Sequence, residues 1–303
     1  MAAMAEGGTR AGFVAVLGAP NVGKSTLVNQ LVGAKIAIVT PKVQTTRSRL
    51  RGIRVLDQVQ LVFVDTPGIF AARHRFERAM VHAAWSGASD ADAILLLVDA
   101  KRGLTDETRA IIDRLKETRR ETLVALNKID LVPRHTLLPL AAAVQETGLA
   151  AEIFMVSALG GDGVEDLLGV LKARMPPGPW LYPEDQLTDI SERLLAAEIT
   201  REQLFLQLRQ ELPYAVAVET EGWTTGRGGA VRVEQVIYVQ RETHKGIVLG
   251  KGGRQIKAIG TAARVELSQI LGCPIDLKLF VKVRQRWLED PERYRDIGLE
   301  YDV

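Results

Sequence analysis

Cysteine, aromatic residues and long apolar runs are all scarce in this sequence of 303 residues. The single cysteine, Cys273, excludes an internal disulfide and favours a reducing, cytoplasmic setting. The four histidines lack the spacing of metal ligands; they are His74, His82, His135 and His244. No apolar run reaches the roughly 18 residues that a membrane-spanning helix needs. The polar N-terminus, residues 1–11, lacks a signal-peptide core, and we expect it to be flexible.

The composition is that of a folded globular protein, with 47% hydrophobic and 25% charged residues. A chain of this length suggests two domains of ordinary size. The formal net charge is only +2, so total charge does not decide whether the protein binds nucleic acid. The local distribution of charge has to decide that question.

The first part of the chain alternates predicted strands and helices. Near-continuous apolar runs predict buried strands at Phe13–Leu17, Val59–Val64, Ala93–Val98, Thr122–Leu126 and Glu152–Val156. Helical patterns include Ser25–Val32, Asp106–Lys116 and Val164–Arg174. This alternation predicts an α/β domain, residues 12–175, with a mostly parallel sheet and helices on both faces.

A proline-rich stretch, Met-Pro-Pro-Gly-Pro at 175–179, cannot continue a helix and indicates a linker over 176–187. The second domain, 188–303, begins with an amphipathic helix over Ile190–Leu212. Strands at Tyr214–Thr220 and Val231–Gln240 follow, then two helices around a Gly-rich turn and a last strand, Ile275–Val283. The second domain is therefore predicted to be α+β.

The sequence Gly-Ala-Pro-Asn-Val-Gly-Lys-Ser at 18–25 fits the P-loop pattern between a predicted strand and a helix. Glycines let the backbone amides turn toward phosphates at a helix N-terminus. We expect Lys24 to reach the β- and γ-phosphates and the Ser25 hydroxyl to bind Mg²⁺. The predicted phosphate-binding residues are Gly18, Asn21, Val22, Gly23, Lys24, Ser25 and Thr26.

A second motif, Asn127-Lys-Ile-Asp130, follows another predicted strand and selects the base. The Asp130 carboxylate can accept hydrogen bonds from guanine N1–H and the 2-amino group, a donor pair that adenine lacks. Asn127 and Lys128 should brace the base and the P-loop. Ser157 and Ala158, also after a strand, fit a second guanine-contacting loop. The nucleotide is therefore predicted to be GTP or GDP.

Asp-Thr-Pro-Gly at 65–68 ends a predicted strand. We expect Asp65 to contact Mg²⁺ through water and the Gly68 amide to sense the γ-phosphate. The Thr-, Lys- and Arg-rich stretch from Lys35 to Arg54 should supply a threonine hydroxyl to Mg²⁺. Thr46 is the first choice and Thr45 the second.

These motifs resemble the translation-factor-like small GTPases, in the branch that contains Era. Lys24, Thr46 and Gly68 would then be the catalytic positions. Ras-like relatives carry a glutamine two residues beyond the glycine of the DTPG motif, whereas Ile69 and Phe70 follow Gly68 here. The resemblance thus implies slow unassisted hydrolysis. In some relatives an asparagine at the place of Asn21 binds K⁺, so Asn21 is either a K⁺ ligand or a turn residue.

The second domain carries a local excess of positive charge. Residues 241–286 hold ten Lys or Arg against three Asp or Glu. Within them lies a G-x-x-G pattern, Gly250-Lys-Gly-Gly253, of the kind with which KH domains clamp RNA backbone. The order helix–strand–strand–helix–helix–strand resembles a type II KH domain. The predicted RNA-binding residues are Arg241, Lys245, Gly250, Lys251, Gly252, Gly253, Arg254 and Lys257.

The two domains in this order resemble the bacterial Era-type GTPases. The motifs Tyr182-Pro-Glu-Asp185 and Glu211-Leu-Pro-Tyr214 support this resemblance, which covers nearly the whole chain. It implies binding of single-stranded RNA near the 3′ end of 16S rRNA, a role in 30S subunit assembly, and peripheral association with the inner face of the membrane, with no DNA partner. The alternative is a constitutive RNA-binding module in which GTP is structural. RNA modification is disfavoured because no residues remain for that chemistry.

Overall fold

The computed structural model describes residues 8–42, 45–47, 49–72, 74–208, 212, 216–226, 228–285, 291, 294 and 298–303. The chain divides into two compact units. The first contains Met1–Ala37, Thr46–Asp189 and Gly298–Val303, and the second contains Ile38–Thr45 and Ile190–Ile297. Within the described ranges, no helix combines the length and apolar character needed to cross a bilayer.

A six-stranded sheet with the order β2-β3-β1-β4-β5-β6 forms the centre of the first unit. Its strands are β1 (Arg10–Leu17), β2 (Leu50–Leu56), β3 (Val59–Asp65), β4 (Ala93–Asp99), β5 (Thr122–Asn127) and β6 (Ala150–Val156). β2 is antiparallel to β3, and the other neighbouring pairs are parallel. Every residue of β3 and β4 is buried, as expected for strands covered on both faces.

Five helices accompany this sheet: α1 (Lys24–Val32), α2 (Arg75–Ser89), α3 (Asp106–Thr118), α4 (Leu137–Glu146) and α5 (Val164–Arg174). Local chemistry sets their ends. Thr105 caps α3 by accepting a hydrogen bond from the Thr108 amide, and Gly33 ends α1 in the left-handed region. Because parallel strands end at a common edge, the loops after β1, β3 and β5 gather there.

The second unit is built on a three-stranded sheet with the order β7-β8-β9. β7 (Val216–Thr225) and β8 (Val231–Val239) are antiparallel, and β9 (Ile275–Val283) runs parallel to β8. Its helices are α6 (Glu192–Gln207), α7 (Glu242–Leu249) and α8 (Arg254–Leu271). This element order is the one the sequence predicted.

Several predicted boundaries differ from the structure. β1 begins at Arg10, inside the stretch expected to be flexible, and residues 1–7 lie outside the described part. β2 was not predicted as a strand. The helix expected to reach Leu212 ends at Gln207, because Leu208 is extended. Glu211, Pro213 and Tyr214, which carried part of the motif evidence, lie outside the described residues.

The predicted linker is bound along the first unit. Residues 176–189 contact β1, β2 and β3 through backbone and side-chain hydrogen bonds. The Ile53 amide donates to the Leu187 carbonyl at 2.8 Å, and the Arg51 guanidinium pairs with Asp189 at 2.9 Å. The prolines thus correctly predicted the end of α5 at Arg174. The stretch predicted as a linker, 176–187, belongs to the first unit.

Each unit also contains a segment from a distant part of the sequence. The 38–45 segment follows α1 in the sequence, yet it belongs to the second unit. The C-terminal segment Gly298–Val303 belongs to the first unit, where the Arg75 guanidinium of α2 lies 4.5 Å from the centre of the Tyr301 ring. The predicted domains, 12–175 and 188–303, assign each of these two segments to the other unit.

Candidate functional site

The P-loop joins β1 to α1 through a backbone that requires glycine at two places. Gly18 and Gly23 have φ angles of 152° and 99°, and a Cβ on Gly23 would lie 2.3 Å from the Asn127 amide nitrogen. The Asn127 amide nitrogen donates to the Val22 carbonyl at 2.8 Å. The loop is therefore braced from a second motif more than 100 residues away.

Lys24 begins α1 and is buried, with 6% of its surface exposed. Its Nζ donates to the carbonyls of Gly18 and Ala19, both at 3.2 Å. Burial lowers the pKa of Lys24 to about 8, and the nearby Asp65 carboxylate opposes this effect. Two backbone carbonyls are weak compensation for a buried ammonium group, whereas phosphate oxygens at the same place would stabilise its charge.

Three oxygen-bearing side chains converge beside Lys24. The Ser25 hydroxyl donates to Oδ2 of Asp65 at 2.7 Å and lies 2.8 Å from the Thr46 hydroxyl, which donates to the same Oδ2 at 3.2 Å. By contrast, the Thr45 hydroxyl contacts the Thr40 hydroxyl and the Lys42 carbonyl, both at 2.7 Å. The geometry therefore favours Thr46 over Thr45 as a partner of Ser25 and Asp65.

Asp65 shows what this cluster is suited to hold. Its side chain is fully buried, and Oδ1 has no hydrogen-bond partner among the described residues. Burial raises the pKa of its carboxyl, while Lys24 and the two hydroxyls act in the opposite direction. A buried carboxylate with a free oxygen beside two hydroxyls fits a hard cation such as Mg²⁺, which takes oxygen ligands from few protein groups together with water and phosphates.

Gly68 lies close to the P-loop. A Cβ added at Gly68 would be only 2.9 Å from Cα of Pro20. The next amide, that of Ile69, donates to the Gly18 carbonyl at 3.1 Å, and the Ile69 side chain is buried. The segment after β3 is thus fixed to the P-loop by backbone contacts. The Ile69 side chain offers no polar group for orienting water.

The loops after β5 and β6 form the other end of the site. Asn127 Oδ1 accepts from the Ala158 amide at 2.9 Å, and the Ser157 hydroxyl donates to Asp130 Oδ1 at 2.7 Å. Asp130 is exposed, and this hydrogen bond fixes its Oδ1. Ser157 thereby orients the carboxylate that the sequence assigned to guanine.

Lys128 links this end to the P-loop. Its Nζ donates to the Asn21 carbonyl at 2.5 Å and to Asp99 Oδ2 at 2.7 Å. Asp99, the last residue of β4, is buried and was missed in the sequence analysis. Its place at the carboxyl end of a central strand was the available signal. Thr26, also predicted to bind nucleotide, is half-buried in the first turn of α1.

In the second unit, the Gly-rich turn joins α7 to α8. Gly250, Gly252 and Gly253 have φ angles of 71°, 62° and 73°, all in the region that favours glycine. A Cβ on Gly250 would also lie 2.6 Å from Cβ of Gln255. The turn therefore needs glycine both for its dihedral angles and for its close approach to α8.

The charged residues predicted for RNA fall into two groups. Lys251, Arg254 and Lys257 are exposed at the turn and the first turns of α8. Arg241 precedes α7 and Lys245 lies near the middle of this helix, which has eight residues and spans about 12 Å. Only the first group lies beside the Gly-rich turn.

An open groove of about 410 Å³ continues from this turn between α8 and β9. Its apolar lining is contributed by Ile256, Leu277 and Leu279, while Arg264 and Asp276 provide charge. A Cβ on Gly260 would lie 3.2 Å from Leu279, so the glycine keeps the groove open at this point. A basic glycine turn next to an apolar groove suits a nucleic acid strand whose bases stack on the groove and whose backbone follows the turn.

The two sites define a class of protein, a P-loop GTPase domain followed by a KH domain. A family model described as 50S ribosome-binding GTPase matches residues 13–128, and a KH domain model matches residues 211–288. The chain is 55% identical to GTPase Era of Bradyrhizobium sp. (strain ORS 278), over 98% of this chain and 96% of that protein. It is 57% identical to GTPase Era of Sinorhizobium medicae (strain WSM419), over 97% and 94%. The chain therefore belongs to the GTPase Era family, and it is a GTPase.

A solved structure agrees with this assignment. A crystal structure of Era in complex with MgGDPNP and nucleotides 1506-1542 of 16S ribosomal RNA matches the fold with a TM-score of 0.91 at 37% identity. The match covers 97% of this chain and 100% of that one. The predicted fold class, the family resemblance and the GTPase activity are confirmed.

Proposed function

We propose that this protein is a GTP-dependent switch that binds single-stranded RNA at the 3′ end of 16S rRNA and acts in assembly of the 30S subunit. The proposal rests on the presence of two sites in one chain. One is the cluster of Ser25, Thr46 and Asp65 beside the P-loop, and the other is the glycine turn beside the apolar α8–β9 groove. The solved relative holds a GTP analogue, magnesium and this RNA.

At the nucleotide site, Lys24 binds the β- and γ-phosphates, and Ser25 and Thr46 offer hydroxyl oxygens to Mg²⁺. Asp65 contacts the ion through water with its unbonded Oδ1. Bound Mg²⁺ neutralises charge on the phosphates during hydrolysis. The Gly68 amide binds the γ-phosphate, and Asp130 reads guanine with support from Ser157.

Hydrolysis transfers the γ-phosphoryl group to water, and the bond to the β-phosphate oxygen breaks to leave GDP and phosphate. Since neither Ile69 nor Phe70 provides the polar group of a water-orienting glutamine, we expect a slow unassisted rate, on the order of 10⁻⁴ to 10⁻² s⁻¹. Single-turnover assays of the purified protein test this expectation. An unassisted rate above about 10 s⁻¹ would contradict it.

At the RNA site, the Gly250–Gly253 turn approaches the backbone and bases lie along the α8–β9 groove. Lys251→Glu should weaken binding of a 16S 3′-end RNA about tenfold, because it replaces a cation beside phosphate with an anion. GTP affinity should stay the same. Lys116→Glu, at an exposed position of α3, is the matched control and should leave RNA binding unchanged. If Lys251→Glu binds this RNA as tightly as the native chain does, the assignment of the Gly250–Gly253 turn to RNA binding is wrong.

The rival function is a constitutive RNA-binding module in which GTP only stabilises the fold. A switch requires the GTP- and GDP-bound forms to differ in RNA affinity, since a ligand shifts an equilibrium only through differential affinity. RNA titrations of the GTP-analogue, GDP and nucleotide-free forms separate the two. Equal affinity in all three favours the constitutive module.

K⁺ use at Asn21 is a separate proposal. Asn21 has a φ of 62°, its carbonyl accepts from Lys128, and its exposed side chain lies in the loop beside the phosphate site. Comparing hydrolysis in K⁺ and Na⁺ at equal ionic strength tests the idea. Equal rates would assign Asn21 to the turn alone.

Localisation in the cytoplasm, with peripheral association at the inner face of the membrane, is proposed from the family resemblance. Fractionation of cells into soluble, ribosomal and membrane pools tests it. Recovery in the 30S pool, enriched when a non-hydrolysable GTP analogue is present, would support the role in assembly. Absence of the protein from the membrane pool would contradict only the proposed membrane association.

A further inference from the structure

The 38–45 segment, of which residues 38–42 and 45 are described, contributes Ile38 to the hydrophobic core of the second unit. Ile38 is only 3% exposed and packs with Leu195 and Ile199 of α6, Val233 of β8 and Leu267 of α8. In sequence this segment lies between the P-loop helix and Thr46. A piece of chain leading directly into the proposed magnesium site is therefore built into the RNA-binding unit.

Polar contacts fix the same segment to α6 at three further points. The Val39 amide donates to Glu202 Oε1 at 2.8 Å. The Lys42 ammonium group donates to the carbonyls of Phe205 and Leu208, at the end of α6. The Thr45 carbonyl accepts from Arg201 Nη2 at 2.6 Å.

Arg201 is the anchor nearest the nucleotide site. Its side chain is almost fully buried, pairs with Glu198 through Nε at 2.8 Å and through Nη2, and lies over the Phe205 ring. These contacts hold the guanidinium with Nη2 directed at the Thr45 carbonyl, while the buried Nη1 has no hydrogen-bond partner among the described residues. Thr46 is the next residue, one peptide unit or about 3.8 Å away between Cα atoms.

We propose that Arg201, a residue of the RNA-binding unit, is a positioning residue for GTP hydrolysis. By holding the Thr45 carbonyl, Arg201 fixes the backbone from which the Thr46 hydroxyl reaches the cluster of Ser25 and Asp65. The inference rests on the proposed role of Thr46 as a magnesium ligand. Because linkage is reciprocal, a nucleotide that orders Thr46 also stabilises the 38–45 segment on α6.

α6, the helix that contains Arg201, also contacts α8, which begins at the Gly-rich turn. Gln203 of α6 donates to Glu266 of α8 at 3.0 Å, and Gln255, in the first turn of α8, donates to Gln207 at 3.4 Å. α6 therefore bears the anchors of the 38–45 segment and side chains that bond to α8. The contacts of the 38–45 segment with α6 are therefore continuous, through α6, with contacts to the helix that begins at the Gly-rich turn.

The test uses the full-length variant Arg201→Met and measures the Mg²⁺ concentration for half-maximal GTP hydrolysis, together with affinities for a GTP analogue and for GDP. Losing a buried charge-assisted hydrogen bond should raise the Mg²⁺ requirement about tenfold and weaken the GTP analogue by a similar factor. GDP affinity should change by less than about twofold, because GDP lacks the γ-phosphate that orders Thr46.

Arg193→Met is the matched control. Arg193 also lies on α6 and also donates to backbone carbonyls, those of Thr220 and Glu221, within the second unit. It should lower stability without changing the Mg²⁺ requirement. If Arg201→Met behaves like Arg193→Met, or weakens GTP and GDP equally, Arg201 is a structural residue and the proposal is wrong.

Two further variants keep the result interpretable. If Thr46→Ala leaves the Mg²⁺ requirement unchanged, the assignment of Thr46 fails, whereas a change in Thr46→Ala without one in Arg201→Met overturns only the role of Arg201. If Arg201→Met does not fold, Arg201→Lys keeps the charge beside Glu198 but loses the two-pronged guanidinium. It should still raise the Mg²⁺ requirement, and a native requirement there would overturn the proposal.

Discussion

Lys24 is a buried cation whose charge is costly until a phosphate arrives. Burial lowers its pKa to about 8, below the ordinary value of 10.5. The unfolded chain therefore binds more protons between these two values, and the free energy of unfolding rises with pH across that window. Nucleotide phosphates act in the opposite direction, because they favour the protonated amine.

GTP affinity should consequently fall as the pH rises above about 8, approaching tenfold per pH unit, since binding then requires proton uptake by Lys24. Calorimetric titration between about pH 7 and 9 checks this, with two buffers of different ionisation enthalpy to count the protons. Lys24→Arg is the control, because its guanidinium stays charged over this range. The same pH dependence in Lys24→Arg would show that another group titrates.

Asp130 should decide which base is bound. In the proposed site its carboxylate accepts from two guanine donors, and Ser157 donates a hydrogen bond to its Oδ1. Asp130→Asn places a donor where guanine also presents donors, so GTP affinity should fall about a hundredfold or more. Affinity for xanthosine triphosphate should rise, because xanthine carries an acceptor at that position. Competition binding with both nucleotides measures this, and unchanged GTP affinity would remove Asp130 from the site.

At the scale of elements, Gln60 of β3 holds the segment that follows the prolines. It is fully buried, and its Oε1 accepts from the Leu181 and Tyr182 amides at 2.8 and 3.0 Å. Its Nε2 donates to the Tyr182 carbonyl at 2.8 Å. One side chain thus satisfies three backbone groups of residues that otherwise form no regular element.

Gln60→Leu should destabilise the protein by about 2–4 kcal/mol, because these backbone groups lose their partners. Protease cleavage near 181–185 should become faster, and urea unfolding should shift to lower concentration. Gln58→Leu is the control, since the Gln58 side chain is exposed and the substitution keeps the backbone carbonyl that accepts from the Arg10 amide and Trp180 Nε1. Cleavage at the native rate in Gln60→Leu would mean that the backbone contacts of 187–189 suffice.

What the sequence revealed depended on how local each signal is. The central strands are covered on both faces, so an unbroken apolar run predicted them. β2 mixes buried, partly buried and exposed residues and contains Arg51 and Arg54, so it lacks the unbroken apolar run that predicts a strand covered on both faces. The P-loop and the Asn127–Asp130 motif could be read because their chemistry lies in consecutive residues. Arg201 could not, because its partner is a backbone carbonyl 156 positions away.

At the scale of the whole molecule, the two units are joined by more than the chain between Asp189 and Ile190. The chain also crosses between units before Ile38, after Thr45 and before Gly298. Leu299 is buried in the first unit, whereas the chain that precedes Gly298, back to Ile190, belongs to the second. Neither unit contains all of its own core within a continuous stretch of sequence, and this makes the stability of each unit depend on residues that a motif scan assigns to the other.

Ile36 and Ile38 allow a direct test of this dependence, because both are 3% exposed and only two positions apart. Ile38 packs in the core with Val233 of β8, whereas Ile36 lies next to Gly52 of β2 in the first unit. Replacing either by Ala should cost about 2–5 kcal/mol, from lost burial and the cavity that remains. The two losses should fall in different units.

Hydrogen exchange of the full-length variants locates each loss. In Ile38→Ala the amides of Val231–Val239 should exchange faster, while those of Arg10–Leu17 keep their protection. In Ile36→Ala the faster exchange should appear in Leu50–Leu56, with the second unit unchanged. If Ile38→Ala instead loosens only the first unit, the 38–45 segment is not part of the RNA-binding core. The expected pattern would mean that a residue encoded within the GTPase sequence stabilises the KH domain, so that any nucleotide able to order this segment also stabilises the unit that holds RNA.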